Sequence, residues 1–175
     1  MYWISMVEKE LQKVWCMSEK YRDENWRFRS WLKFNAPENI DDIVAGLSGK
    51  YFALIDCKEC GNCCRSLEIE MEKKDLTMMA MAKGGLGEKF HPKYTFVDEQ
   101  GDRLLKPPCP MLNGNLCSIY DKRPDTCRTF PHLEKTGFLS RLIGVIGSLS
   151  VCPIAFNVFE ELKEKINWHD TENCQ

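Results

Sequence analysis

Residues 57–64 read Cys57-Lys58-Glu59-Cys60-Gly61-Asn62-Cys63-Cys64. Two-residue spacers let a tight turn aim successive sulfurs at one centre while backbone N–H groups face the same point. Gly61 supplies the conformational freedom for that turn. The same spacing serves zinc knuckles and iron–sulfur loops. Cys63 and Cys64 are neighbours, and in an extended segment adjacent side chains point to opposite faces. One sulfur is then expected to join Cys57 and Cys60, and the other to serve a second centre or another edge of a cluster.

The remainder of the chain supplies more thiols. It has ten cysteines in 175 residues, and eight of them lie between positions 57 and 152. Cys109 sits in Pro107-Pro108-Cys109-Pro110, Cys117 follows Asn113-Gly114-Asn115, Cys127 lies in Arg123-Pro124-Asp125-Thr126-Cys127-Arg128-Thr129-Phe130-Pro131, and Cys152 precedes Pro153. A proline after cysteine removes a backbone donor and fixes the local path, and a cysteine–proline pair closes bacterial ferredoxin motifs. The N-terminus, MYWISMVEKELQKV, has no basic region before an apolar run. A reducing, cytoplasmic setting is therefore expected, where thiols bind metal or do redox chemistry rather than form structural disulfides. Leu142 to Phe156 is the most apolar stretch, but it spans fifteen residues and contains Pro153. A bilayer span needs about 18–20 apolar residues, so this segment reads as buried core and not as a membrane anchor.

Composition fits a soluble globular chain, with 43% hydrophobic and 29% charged residues. A net charge of −2, from 24 basic and 26 acidic residues, argues against a dedicated nucleic-acid binder. Ile4, Val7, Leu11 and Val14 recur at helical spacing, and helix is expected from residue 2 to about 34. Trp26 to Phe34 mixes bases and aromatics; an amphipathic helix docking on the cluster domain, or presenting a surface to a protein partner, suits it better than single-stranded nucleic acid. A short helix is expected through Ile43, Val44 and Leu47, stopped by Gly49. Leu67, Ile69 and Met71 alternate with glutamates as in a half-buried strand. Asp75 to Met81 reads as helical turns ended by Gly84 and Gly85. Tyr94–Val97 with Arg103–Leu105, and Pro110–Leu112 with Leu116–Tyr120, read as hairpins. A final helix starts near Pro153 and shows Phe156, Phe159, Leu162 and Ile166 on one face. The expected class is α+β: residues 1–50 form a helical arm, and residues 51–175 form a metal-organised cysteine-cluster domain with short strands and a C-terminal helix.

The run Cys57-x2-Cys60-x2-Cys63-Cys64, followed by Cys117-x2-Tyr120-x2-Arg123-Pro124-x2-Cys127-Arg128-x-Phe130-Pro131 and a late Cys152, resembles the YkgJ-like family of zinc- or iron-chelating cysteine-cluster proteins. The resemblance covers about residues 55–155. It implies a bound metal centre with Cys57, Cys60, Cys63, Cys64, Cys109, Cys117, Cys127 and Cys152 as candidate ligands, and it implies no particular reaction. A related cluster occurs in the flagellin lysine-N-methylase family.

Zinc sites usually show two separated Cys-x2-Cys knuckles, and only the first half fits here. Three cysteines at two-residue spacing with remote Cys-Pro ligands favour an iron–sulfur cluster of the [4Fe–4S] kind, with zinc as the alternative. Either centre with four thiolates carries a net charge of about −2, which Arg65, Lys122, Arg123 and Arg128 stand ready to offset. His132 is the one histidine placed to act near the cluster, as a donor or proton carrier; its ordinary reading, like that of His91 and His169, is structural. Tyr120 and Asp121 read as packing and turn residues. Cys16 reads as a small buried hydrophobe and Cys174 as a thiol in the tail. Three functions follow: an iron–sulfur protein in electron transfer or protein modification, a zinc-stabilised interaction module, and an enzyme acting on protein lysine. The third has the least support, because no donor-binding segment is recognisable.

Overall fold

The computed structural model describes residues 7–85 and 92–170, so Ile4, His91 and Cys174 lie outside the described residues. The chain divides into two compact units. One runs to Asp56 and resumes at Pro131; the other is Cys57–Phe130. The α+β class holds.

The first unit is helical. α1 is Leu11–Lys20, α2 is Arg22–Asn35 and α3 is Ile40–Leu54. The single helix expected to residue 34 is broken at Tyr21, whose φ of −96° and ψ of 12° leave the helical region. The buried positions Val14, Ser18, Asn25, Phe28 and Leu32 keep helical spacing across the break, so periodicity could not reveal it. Cys16 lies off this stripe and is exposed, which corrects its reading as a buried residue. α3 passes through Gly49 instead of stopping there. A helical glycine costs about 1 kcal/mol, and the burial of Val44, Leu47 and Tyr51 on one face outweighs it.

After Pro131, a 3₁₀ turn at Phe138–Arg141 leads into α8, Leu142–Ser148, and then α9, Pro153–Lys165. Pro153 to Phe159 is buried without interruption, as the apolar run requires. α9 packs on α3 and α1. Phe28 meets Phe159 edge-on at 5.2 Å and Trp168 at 4.8 Å. Two polar ties hold this core. Lys163 Nζ reaches Glu24 and Glu160, both at 2.8 Å, and is almost wholly buried. The Asp41 carboxylate accepts N–H bonds from Gly137 at 2.6 Å and Phe138 at 2.8 Å. No helix among the described residues is long and apolar enough to cross a membrane.

The second unit begins with two short helices, α4 (Cys57–Cys60) and α5 (Asn62–Ser66). Next come β1 (Ile69–Glu70), α6 (Lys73–Ala82), β2 (Thr95–Val97) and β3 (Arg103–Leu105). The strands form an antiparallel sheet in the order β1-β3-β2, with Ile69 and Thr95 both opposite Leu105. A separate hairpin pairs β4 (Leu112–Asn113) with β5 (Leu116–Cys117). A 3₁₀ turn at Tyr120–Lys122 and α7 (Asp125–Thr129) follow. The core is small: Met71, Leu76, Met79, Ala80, Leu105 and Met111, with Cys109, Cys117 and Cys127 packed on it.

The β4–β5 loop is Gly114–Asn115, one residue along from the Asn-Gly pair read as the turn signal. Gly114 has φ of +62° at the first central position, as a type II′ turn requires of glycine.

Candidate metal centre

Local chain geometry places the first thiols. α4 ends at Gly61, whose φ of +59° turns the chain into α5. A Cβ on Gly61 would meet the Asn115 backbone oxygen at 2.9 Å, so the loop lies directly on the β4–β5 hairpin. Asn115 reinforces this contact. Its Nδ2 donates to the Glu59 carbonyl at 2.6 Å, and its Oδ1 accepts from Arg65 Nη2. Arg65 Nη1 also donates to the Cys60 carbonyl at 2.8 Å.

Because Cys63 and Cys64 lie in a helix, their side chains diverge by about 100° rather than by a half-turn. The expectation of opposite faces is therefore corrected: both line one cavity, and their thiols are hydrogen-bonded to each other. Cys57, Cys117 and Cys127 line the same cavity, of about 70 Å³, together with Tyr120, Arg123 and Phe130. Five cysteines from three chain segments thus border one space. Cys109 adjoins them; its N–H donates to the Cys64 carbonyl at 2.7 Å, and its thiol interacts electrostatically with Cys64 and Cys117.

Cys60 shares the loop but is not on the cavity wall. Cys152 lies in the helical unit, where its Sγ accepts the Ala155 N–H at 3.5 Å as the N-cap of α9. His132 also belongs to that unit, with a left-handed φ of 62°. A larger cavity, of about 370 Å³, lies among the helices and is lined by Tyr21, Glu24, Tyr51, Lys163 and Trp168 but by no cysteine.

The electrostatics separate the thiols. A hydrogen bond from Cys63, aided by the charges of Arg123 and Arg65, pulls Cys64 down to about 7 against its burial. Burial pushes Cys127 up to about 12 and Cys109 up to about 11, and it raises Cys117 as well. Burial and the neighbouring charges thus set Cys64 apart from Cys109, Cys117 and Cys127. Metal binding by such a set releases protons, because each ligand must become a thiolate.

Among the described residues no group of three or more Cys, His, Asp or Glu is set to hold a metal ion as it stands. The donor chemistry nevertheless fits a thiophilic metal in three ways. Five cysteines line a shared, mainly apolar cavity. Backbone N–H groups of Met111 and Leu112 face the Cys109 sulfur, and that of Ile119 faces Cys117; such donors suit coordinated thiolate. Arg123 lines the cavity, and its Nε is buried with no hydrogen-bond partner among the described residues, a donor that an anionic centre would satisfy.

A small α+β unit that gathers cysteines from separate segments onto one cavity has the makings of a thiol-based metal-binding domain. Residues 56–144, a little over half of the chain, match the family described as CxxCxxCC, putative zinc- or iron-chelating domain, and the chain belongs to that family. Neither the curated proteins nor the solved structures contain a match to the chain.

The cysteines and Arg123 are legible in the sequence, where Tyr120 reads as a packing residue and Asn115 only as part of a turn. Tyr120 lines the cavity and carries the Arg123 guanidinium on its ring at 3.5 Å. The signal was the three-residue spacing of Tyr120 and Arg123 on either side of one helical turn.

Proposed function

We propose that the second unit carries an iron–sulfur cluster, of the [4Fe–4S] kind, and that the protein works in electron transfer or in a protein-modifying reaction. The observation behind this reading is the single cavity bordered by Cys57, Cys63, Cys64, Cys117 and Cys127. These residues, with Cys109 beside them, would hold the cluster; Cys60 and Cys152 belong to the set on sequence grounds. A four-thiolate zinc site is a closed tetrahedron around one ion. Three cysteines at two-residue spacing, with remote Cys-Pro ligands, support a cluster over such a closed site. A cluster of this type supplies one-electron transfer when bound. The chain's own residues exclude water through Leu67, Ile69 and Phe130, and they offset thiolate charge through Arg65 and Arg123.

Structural zinc is the second reading, favoured by the Cys57-x2-Cys60 knuckle, with the helical unit then holding a protein partner. Anaerobic purification followed by metal and acid-labile sulfide analysis separates the two. Iron and sulfide in matching amounts, with broad absorption near roughly 400 nm, are expected. Zinc without sulfide overturns the cluster in favour of zinc. C127S should lose the metal, whereas C16S, altering an exposed thiol of α1, should keep it.

A further inference from the structure

The cysteine cavity has one wall that is neither apolar nor sulfur. Tyr120 and Arg123 both line it, and the guanidinium carbon lies 3.5 Å from the ring centroid, a face-to-face stack. The backbone fixes this pair from several sides. The Arg123 N–H donates to the Tyr120 carbonyl at 3.4 Å, Arg128 Nη2 donates to the Arg123 carbonyl at 3.0 Å, and Pro124 sets the path that follows. Stacking restrains the guanidinium plane, so its donors are aimed before any ligand arrives. Nε is buried and has no acceptor among the described residues. A buried donor without a partner is unfavourable, because it has given up its bond to water and gained none in return. The positive charge also acts on three of the thiols, Cys64, Cys117 and Cys127.

From this arrangement we infer that Arg123 donates its Nε–H to a metal-bound sulfur and offsets the surplus negative charge of the thiolate centre, with Tyr120 as the positioning residue that holds it flat. The inference rests on the metal-binding reading but not on the choice between iron and zinc. Four thiolates leave about −2 on either centre, so a half-buried cation and a directed N–H favour both. Lysine cannot replace this group, because its ammonium has neither a planar face nor a fixed N–H direction.

The test is a titration of cobalt(II) into metal-free protein under anaerobic conditions, in competition with a chelator. The thiolate-to-cobalt charge-transfer band is recorded for wild type, R123K, R123Q, Y120F and Y120L. R123Q is expected to bind cobalt about 10–100-fold more weakly, the range for loss of a hydrogen-bond partner behind a metal ligand. Its band should move to lower energy, because a thiolate relieved of an N–H bond gives up an electron more readily. Y120F keeps the stacked ring and should match wild type; Y120L and R123K should both fall toward R123Q. The band position separates this role from a merely structural one, and Y120L tests the stack with the arginine intact. R123Q with wild-type affinity and wild-type band overturns the role of Arg123 while leaving the metal site standing. Wild-type protein that takes up no cobalt overturns both.

Discussion

The contact between the cysteine loop and the β4–β5 hairpin can be tested by adding one methyl group, Gly61→Ala. Two effects add. Gly61 has φ of +59°, and an L-residue in that region costs about 1–2 kcal/mol. The new Cβ would also lie 2.9 Å from the Asn115 backbone oxygen and 3.2 Å from its Cα. Backbone cannot swing aside as a side chain can, so the hairpin or the loop must move, at about 1–3 kcal/mol for overpacking. The expected loss is about 2–5 kcal/mol, by adding those two ranges. Gly114→Ala is the internal control. It has φ of +62° but nothing within 4 Å of its Cβ position, so only the conformational part, about 1–2 kcal/mol, applies. Urea unfolding of the metal-loaded proteins under anaerobic conditions measures both, and metal content is read on the same samples. G61A should be the less stable variant and should hold less metal, since Cys60 and Cys63 lie on either side of the displaced turn. Equal losses for G61A and G114A would refute the reasoning, because the close approach to Asn115 would then carry no energy.

Two predictions concern the helical unit. Lys163→Met removes the buried ammonium shared by Glu24 and Glu160, and breaking a buried ion pair on one side costs about 3–5 kcal/mol. Burial already raises the Glu160 carboxyl, so the deficit of K163M should shrink as the pH falls and Glu160 takes up a proton; a thermal melt unchanged from wild type at pH 7 would contradict this. Asp41→Asn should cost about 1 kcal/mol at neutral pH by weakening bonds to the Gly137 and Phe138 N–H groups. Those bonds hold the folded-state carboxyl below its ordinary value of about 3.9. The stabilisation is thus present above that value and lost as pH falls through the lower, folded value; urea midpoints of wild type and D41N should converge there, and a gap that persists in acid would count against it.

Much of the fold was legible locally because its signals are local. The Pro153 start of α9, the glycine-led β4–β5 turn and the extent of α6 depend on residues within a few positions of each other. Three features were not. The break at Tyr21 leaves helical periodicity intact on both sides. The continuation of α3 through Gly49 depends on burial supplied by other segments. β1 is only two residues long, Ile69–Glu70, shorter than the alternation from Leu67 to Met71 suggests; beyond it the Met71 N–H makes one more bond, to the Arg103 carbonyl of β3.

The donor chemistry is written in the residues themselves: which of them are thiols, their spacing in the loop, the glycine that turns it, and the arginines nearby. These follow from residue type and chain geometry over a few bonds. Folding is what brings Cys57, Cys63, Cys64, Cys117 and Cys127 onto one cavity. It also decided that Cys63 and Cys64 act on the same side, and that Tyr120 is the platform for Arg123. The physical reason is separation along the chain. Over fifty residues lie between Cys64 and Cys117, and what brings them together is a small apolar core and one tight backbone approach, at Gly61 and Asn115, that no local pattern encodes.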